Sequence, residues 1–148
     1  MNGGIIFNNR IADIVLVALF TAQALKVIFS LFTEKRINFR RFLDTGSMPS
    51  SHTASVVSLT TAIAIREGMN STIFILSFVL AIVVMYDATG VRRAAGKQAA
   101  VLNKIVENVR KKEGHSLIEE NLKELLGHTP LEVLGGAVLG VAIAFLMS

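Results

Sequence analysis

Apolar residues along this chain gather into four blocks, each bounded by polar or basic segments. Ile11 to Phe32 is the first, with Asp13, Gln23 and Lys26 as its strongly polar members. It is long enough as a helix to cross the ~30 Å hydrocarbon core of a bilayer. Ser50 to Ile65 is shorter and rich in Ser and Thr. Such hydroxyls bond within a helix or to its neighbours, which predicts a helix packed inside a bundle. Ser71 to Tyr86 is the most uniformly apolar block and stops at Asp87. Pro130 to Met147 is the last; its Gly136 and Gly140, with Ala144 a turn further on, predict a close helix–helix contact.

Between the third and fourth blocks runs a polar excursion, Ala88 to Gly127. Ala94, Val101, Leu102, Ile105 and Val109 recur there at helical spacing, with Lys and Glu between them. Leu117, Leu122, Leu125 and Leu126 outline a second, shorter amphipathic helix after Gly114. The pattern predicts an all-α fold: an integral membrane helical bundle of about four transmembrane spans, with cytoplasmic amphipathic helices, in a single domain covering residues 1–148.

Composition agrees with that reading. Hydrophobic residues make up 52% of the 148 and charged residues only 18%, a membrane profile. With no cysteine there is neither a disulfide framework nor a thiolate zinc site. Tryptophan is absent too, which leaves interfacial anchoring to Phe, Tyr86 and the basic residues. The net charge of +4 sits beside apolar spans, so anionic lipid headgroups, not nucleic acid, are the expected partner. Met1 to Arg10 has one basic residue and lacks a small-residue cleavage pattern, so the first block is expected to stay as a span.

Cations are distributed unevenly. The segment after the first block holds four (Lys35, Arg36, Arg40 and Arg41), and the excursion holds eight. The other side has only Arg10 and Arg66. By the positive-inside rule both basic segments face the cytoplasm and both termini lie outside.

The candidate chemistry lies on that cytoplasmic side. In Gly46-Ser47-Met48-Pro49-Ser50-Ser51-His52-Thr53, the serines are good helix caps and Pro49 suits a first helical position. A helix start presents free N–H groups to an anion, and His52 places a titratable ring beside it. Gly127-His128-Thr129-Pro130-Leu131-Glu132 is a second helix start. Thr129 and Glu132 form a Thr-x-x-Glu capping box, yet Glu132 is also one turn from His128 and can fix its tautomer. Lys26 either snorkels to the interface or turns inward to a phosphate. Arg92 and Arg93 follow the third block, with Asp87 as the natural ion-pair partner that orients one of them. His115, in Gly114-His115-Ser116, reads as a solvated turn residue. Together these parts suit phosphoryl transfer without a metal or other cofactor: one histidine as nucleophile, the other as proton donor, and cations on the phosphate oxygens.

Pro49-Ser50-Ser51-His52, followed far downstream by His128 and a carboxylate four positions on, resembles the type 2 phosphatidic acid phosphatase superfamily, which also contains the vanadium-dependent haloperoxidases. It is most similar to a small divergent branch, with Gly-Met-Pro-Ser-Ser-His and Leu-Leu-Gly-His-Thr-Pro-Leu-Glu wording; the likeness runs from about Gln23 to Gly140. The resemblance implies that His128 is the nucleophile, His52 the leaving-group proton donor and Ser50 a phosphate contact, with Ser51 beside it. The chain departs from the superfamily pattern in three places. No Lys-x6-Arg-Pro occurs, although Lys26, Lys35, Arg36, Arg40 and Arg41 are available. Ser51 replaces a glycine, and Glu132 stands where an Asp is usual. No arginine lies six residues before His128, which suggests that the excursion splits the third motif and that Arg92 or Arg93 supplies the guanidinium.

Relatives commonly have six spans, so dimerisation would complete the bundle. The expectation is a lipid-phosphate phosphatase of a bacterial cell membrane. A cytoplasmic site favours inner-leaflet substrates such as phosphatidylglycerophosphate or phosphatidic acid; an isoprenoid diphosphate fits an external site more easily. Two rivals stand beside it: an inactive scaffold retaining the fold, and a metal site from His52, Asp87, His128 and Glu132, which the nearby cations would oppose.

Overall fold

A computed structural model of the chain describes residues 3–6, 8–34, 47–113, 122 and 127–148. Five helices follow in order: α1 (Arg10–Glu34), α2 (Ser51–Glu67), α3 (Thr72–Thr89), α4 (Val91–Glu113) and α5 (Pro130–Met147). No strand occurs among the described residues. The four apolar blocks correspond to α1, α2, α3 and α5, and the first part of the excursion to α4. Lys35, Arg36, Arg40, Arg41, His115, Leu117, Leu125 and Leu126, and with them the expected second excursion helix, lie outside the described residues.

The helices are of two kinds. Three stretches, Arg10–Ser30, Thr72–Val109 (which contains α3) and Pro130–Met147, are long and apolar enough to cross a membrane. Ile73, Leu76, Val79, Leu80 and Val83 of α3, and Leu134, Val138 and Phe145 of α5, are exposed. A bilayer would cover such residues. The fourth expected span, α2, differs. At seventeen residues it is about 26 Å long, and it packs against α1, α3 and α5. Its polarity is satisfied internally: Ser55 Oγ donates to the Ser51 carbonyl, Ser58 Oγ to Ser55, and Thr60 Oγ1 to Val56 and, across to α3, to Ser77 at 3.0 Å. The bundle is therefore built around α2.

Small residues let the helices approach closely. Ala18 of α1, Ala62 of α2 and Ala144 of α5 meet Ile14 and Ile143 in the buried core. Along the α2–α5 seam, a Cβ at Gly136 would stand 2.4 Å from the Ser50 carbonyl oxygen, and one at Gly140 2.6 Å from that of Ala54. The close contact expected from the glycine pair is this seam. By contrast, α4 packs only against α3 among the described helices.

Candidate active site

Three helix ends meet at one end of the bundle: the starts of α2 and α5 and the last turn of α3. Ser50 caps α2; its Oγ accepts from the Thr53 amide at 3.4 Å and from the Thr53 hydroxyl at 3.0 Å. Pro49 lies before the cap, not at the first helical position the sequence suggests, because Ser50 takes the cap and Ser51 opens the helix. The Ser50 amide donates to the Glu132 carbonyl at 3.0 Å, tying the α2 cap to the first turn of α5.

At the head of α5, Thr129 and Glu132 form the expected capping box. Glu132 Oε2 accepts from the Thr129 amide at 2.8 Å and lies 3.2 Å from His128 Nδ1. One carboxylate oxygen thus carries both roles read from the sequence. The His128 amide donates to the Ala88 carbonyl at 2.8 Å, joining this turn to the end of α3. Gly127 makes that approach feasible: its φ is +84°, and a Cβ there would stand 2.4 Å from the Arg93 backbone nitrogen.

His128 is 3% exposed, and its Nε2 is buried without a hydrogen-bond partner. Burial holds the imidazole below the usual histidine range. Lys26 and His52 push the same way, while the hydrogen bond and charge of Glu132 oppose them. A ring kept neutral, with one nitrogen engaged and the other unengaged, is chemically a nucleophile.

His128 lines a cavity of about 220 Å³ together with His52, Val83, Val84, Asp87 and Arg92. His52 and His128, 76 positions apart in the sequence, therefore share one chamber. Asp87 accepts from Arg92 Nε, both residues lining the chamber. Arg93 is exposed and is not among the lining residues. Lys26 is only 1% exposed, with Nζ 3.3 Å from Ser51 Oγ. The side chain is thus turned into the bundle and does not snorkel. Ser50 and Ser51 are buried and are not among the chamber's lining residues. Lys35 lies outside the described residues. Among those described, no three His, Asp or Glu side chains are grouped as metal ligands.

Sequence reasoning missed the apolar wall, Val83 and Val84, and the positioning parts, Gly127 and Ala88. The two valines were hidden in a uniformly apolar block. Gly127, directly before His128, was the one visible signal.

Two histidines, an arginine and two helix N-termini thus converge at one end of an apolar helical bundle of membrane-protein character. Residues 7–143 match the divergent PAP2 family, and the chain belongs to it. It is also similar to a Bacillus subtilis (strain 168) protein described as uncharacterized membrane protein YuiD, with 37% identity over 142 residues and 90% of each chain covered. No solved structure matches the chain.

Proposed function

We propose that this protein is a lipid-phosphate phosphatase that hydrolyses a phosphate monoester or diphosphate through a phosphohistidine. The observation that carries the reading is that His128, whose Nε2 is buried and unpartnered, lines a chamber shared with His52 and Arg92. Glu132 holds the proton on Nδ1, so the Nε2 lone pair attacks phosphorus. As the N–P bond forms, the P–O bond to the lipid breaks, and His52 in its protonated form gives its proton to the departing oxygen. Burial, Arg92 and Lys26 lower the His52 pKa, so this form is the minority one at neutral pH. Water then attacks the phosphohistidine. His52 takes a proton from that water, the N–P bond breaks and phosphate leaves. Arg92, oriented by Asp87, and the Lys26 ammonium offset the charge on the phosphoryl oxygens. Ser50 and Ser51 fix the α2 N-terminus that faces the anion, and Arg93 and Lys35 are secondary candidates for phosphate contact.

The apolar wall at Val83 and Val84 supports an amphiphilic substrate, and the cation bias of the flanking segments supports a site on the cytoplasmic face of the cell membrane. Phosphatidylglycerophosphate and phosphatidic acid are therefore the first substrates to test, with an isoprenoid diphosphate as the third. The experiment is phosphate release by the purified protein from that panel in mixed micelles. Turnover that survives chelator, is blocked by vanadate and is abolished in His128→Ala supports the reading. Absence of turnover on every lipid phosphate identifies a scaffold instead, and loss with chelator identifies a metal enzyme.

A further inference from the structure

Arg10 and Arg66 are the two cations on the cation-poor side, and the fold brings them together. Arg10 opens α1 and Arg66 stands in the last turn of α2. Both line a cavity of about 350 Å³ whose walls include Ile11, Ile14, Ala62 and Ile65. Arg66 follows His52 by fourteen residues on α2, about 21 Å along the helix axis. This cavity is therefore at the opposite end of the bundle from the candidate active site.

Ser148 also lines the cavity, and the acidic side chains nearby do not neutralise the pair. Asp13 is buried, and its two oxygens accept from the Ile5 and Ile6 amides at 2.6 and 2.8 Å. Glu67 lies 3.5 Å from Arg66 Nε in a half-exposed pair, a weak interaction in water. Arg10 Nε donates to the Met147 carbonyl at 2.6 Å, and its other guanidinium nitrogens have no partner among the described residues. Complementing the C-terminal ends of α2 and α5 explains why cations sit here. It does not explain an isoleucine-walled hollow between them. A small aqueous anion has no use for the apolar walls, and a bare acyl chain has no use for two guanidinium groups.

The geometry points to a binding site for an anionic phospholipid in the leaflet opposite the candidate active site. The lipid phosphate lies between Arg10 and Arg66, and the first part of an acyl chain lies along Ile11, Ile14 and Ile65. The inference rests on the apolar helices spanning the membrane and is independent of the phosphatase reading.

The test uses the full-length protein in neutral detergent, with phosphatidylglycerol as the probe. Native mass spectrometry reads retained lipid, and thermal unfolding reads stabilisation. Phosphatidylglycerol is expected to bind at one lipid per chain and to raise the unfolding midpoint in the unsubstituted protein and in His128→Ala alike. Arg10→Gln/Arg66→Gln should weaken binding by about tenfold or more. Ile65→Glu, at an exposed position, leaves both arginines in place but sets a carboxylate at the mouth, and should weaken binding equally. If the double variant does not fold, Ile65→Glu decides the matter. Retained binding in the folded variants, an equal effect from phosphatidylcholine, or an equal effect from inorganic phosphate would overturn the proposal. Loss of binding in His128→Ala would move the lipid to the other cavity and overturn it as well.

Discussion

His128 and Glu132 meet across one turn at the head of α5, with Nδ1 3.2 Å from Oε2, while the same oxygen accepts the Thr129 amide at 2.8 Å. A single carboxylate closes the helix cap and selects the tautomer of the ring beside it. Because the cap anchors the carboxylate, the ring orientation is set by secondary structure. Glu132→Gln is expected to retain the cap and to lose a charge-assisted hydrogen bond of about 1.5–3 kcal/mol, slowing phosphate release roughly 10- to 100-fold. His128→Ala should lose on the order of 10³-fold or more. Steady-state rates set against thermal midpoints check both. A Glu132→Gln protein that unfolds earlier but turns over normally would reduce Glu132 to a cap.

The pH profile follows from the burial of His128. The nucleophile must be neutral, and burial holds its pKa below the ordinary ~6.5. The acid limb of kcat/KM that reports this group should therefore fall below that value. Glu132 pulls the pKa upward, so in Glu132→Gln the limb should move to still lower pH; movement to higher pH would contradict the geometry. The same sign governs stability. The folded-state pKa is depressed, so the contribution is fully present above the unfolded-state value and declines as pH falls toward the folded-state one.

Adjacent arginines should differ in effect. Both are exposed, but Arg92 lines the chamber and pairs with Asp87, whereas Arg93 is not among the lining residues. Arg92→Ala is expected to lower kcat/KM about 10²-fold, the scale of removing one donor to a transition-state oxyanion. Arg93→Ala should stay within about twofold, as for an ordinary surface change. Asp87→Asn should fall between them. Full turnover in both arginine variants would remove the guanidinium from the mechanism.

The α2–α5 seam makes a stability prediction. At Gly136 an added methyl meets the Ser50 carbonyl at 2.4 Å, a backbone atom that cannot step aside. Gly136→Ala should cost about 1–3 kcal/mol and lower the unfolding midpoint in detergent. At Gly135 the nearest atom is the end of the Met48 side chain, at 3.1 Å, which can rotate away. Gly135→Ala should therefore be milder. Equal effects would mean the seam is looser than its geometry.

Much of this architecture was legible from the sequence because a bilayer imposes long apolar runs. The internal place of α2 followed from its serines and threonines, which would be costly against lipid, and the α5 cap followed from Thr129 and Glu132. That His52 and His128 lie on one side followed from the cation bias of the segments around them. What could not be read was the junction that brings them into one chamber. The His128 amide on the Ala88 carbonyl is a long-range backbone bond, and such bonds leave no periodicity. The choice between Arg92 and Arg93 was equally hidden, since neighbouring helical residues diverge by about 100° and the inward direction depends on how α4 leaves α3. Pro49 showed a further limit: a proline beside two serines marks a helix start without saying which residue caps it.

The bond between Ala88 and His128 has a further implication for how this protein can vary. The polypeptide leaves the bundle at the end of α3 and returns to almost the same point, its exit and re-entry clasped by that bond and by Gly127 against the Arg93 backbone. A detour clasped at its neck can lengthen, shorten or be exchanged at small entropic cost, while the groups inside the clasp keep their positions. Evolution thus has a place to attach new regulation or new partners to an old helical frame, and protein engineers have a natural site for grafting.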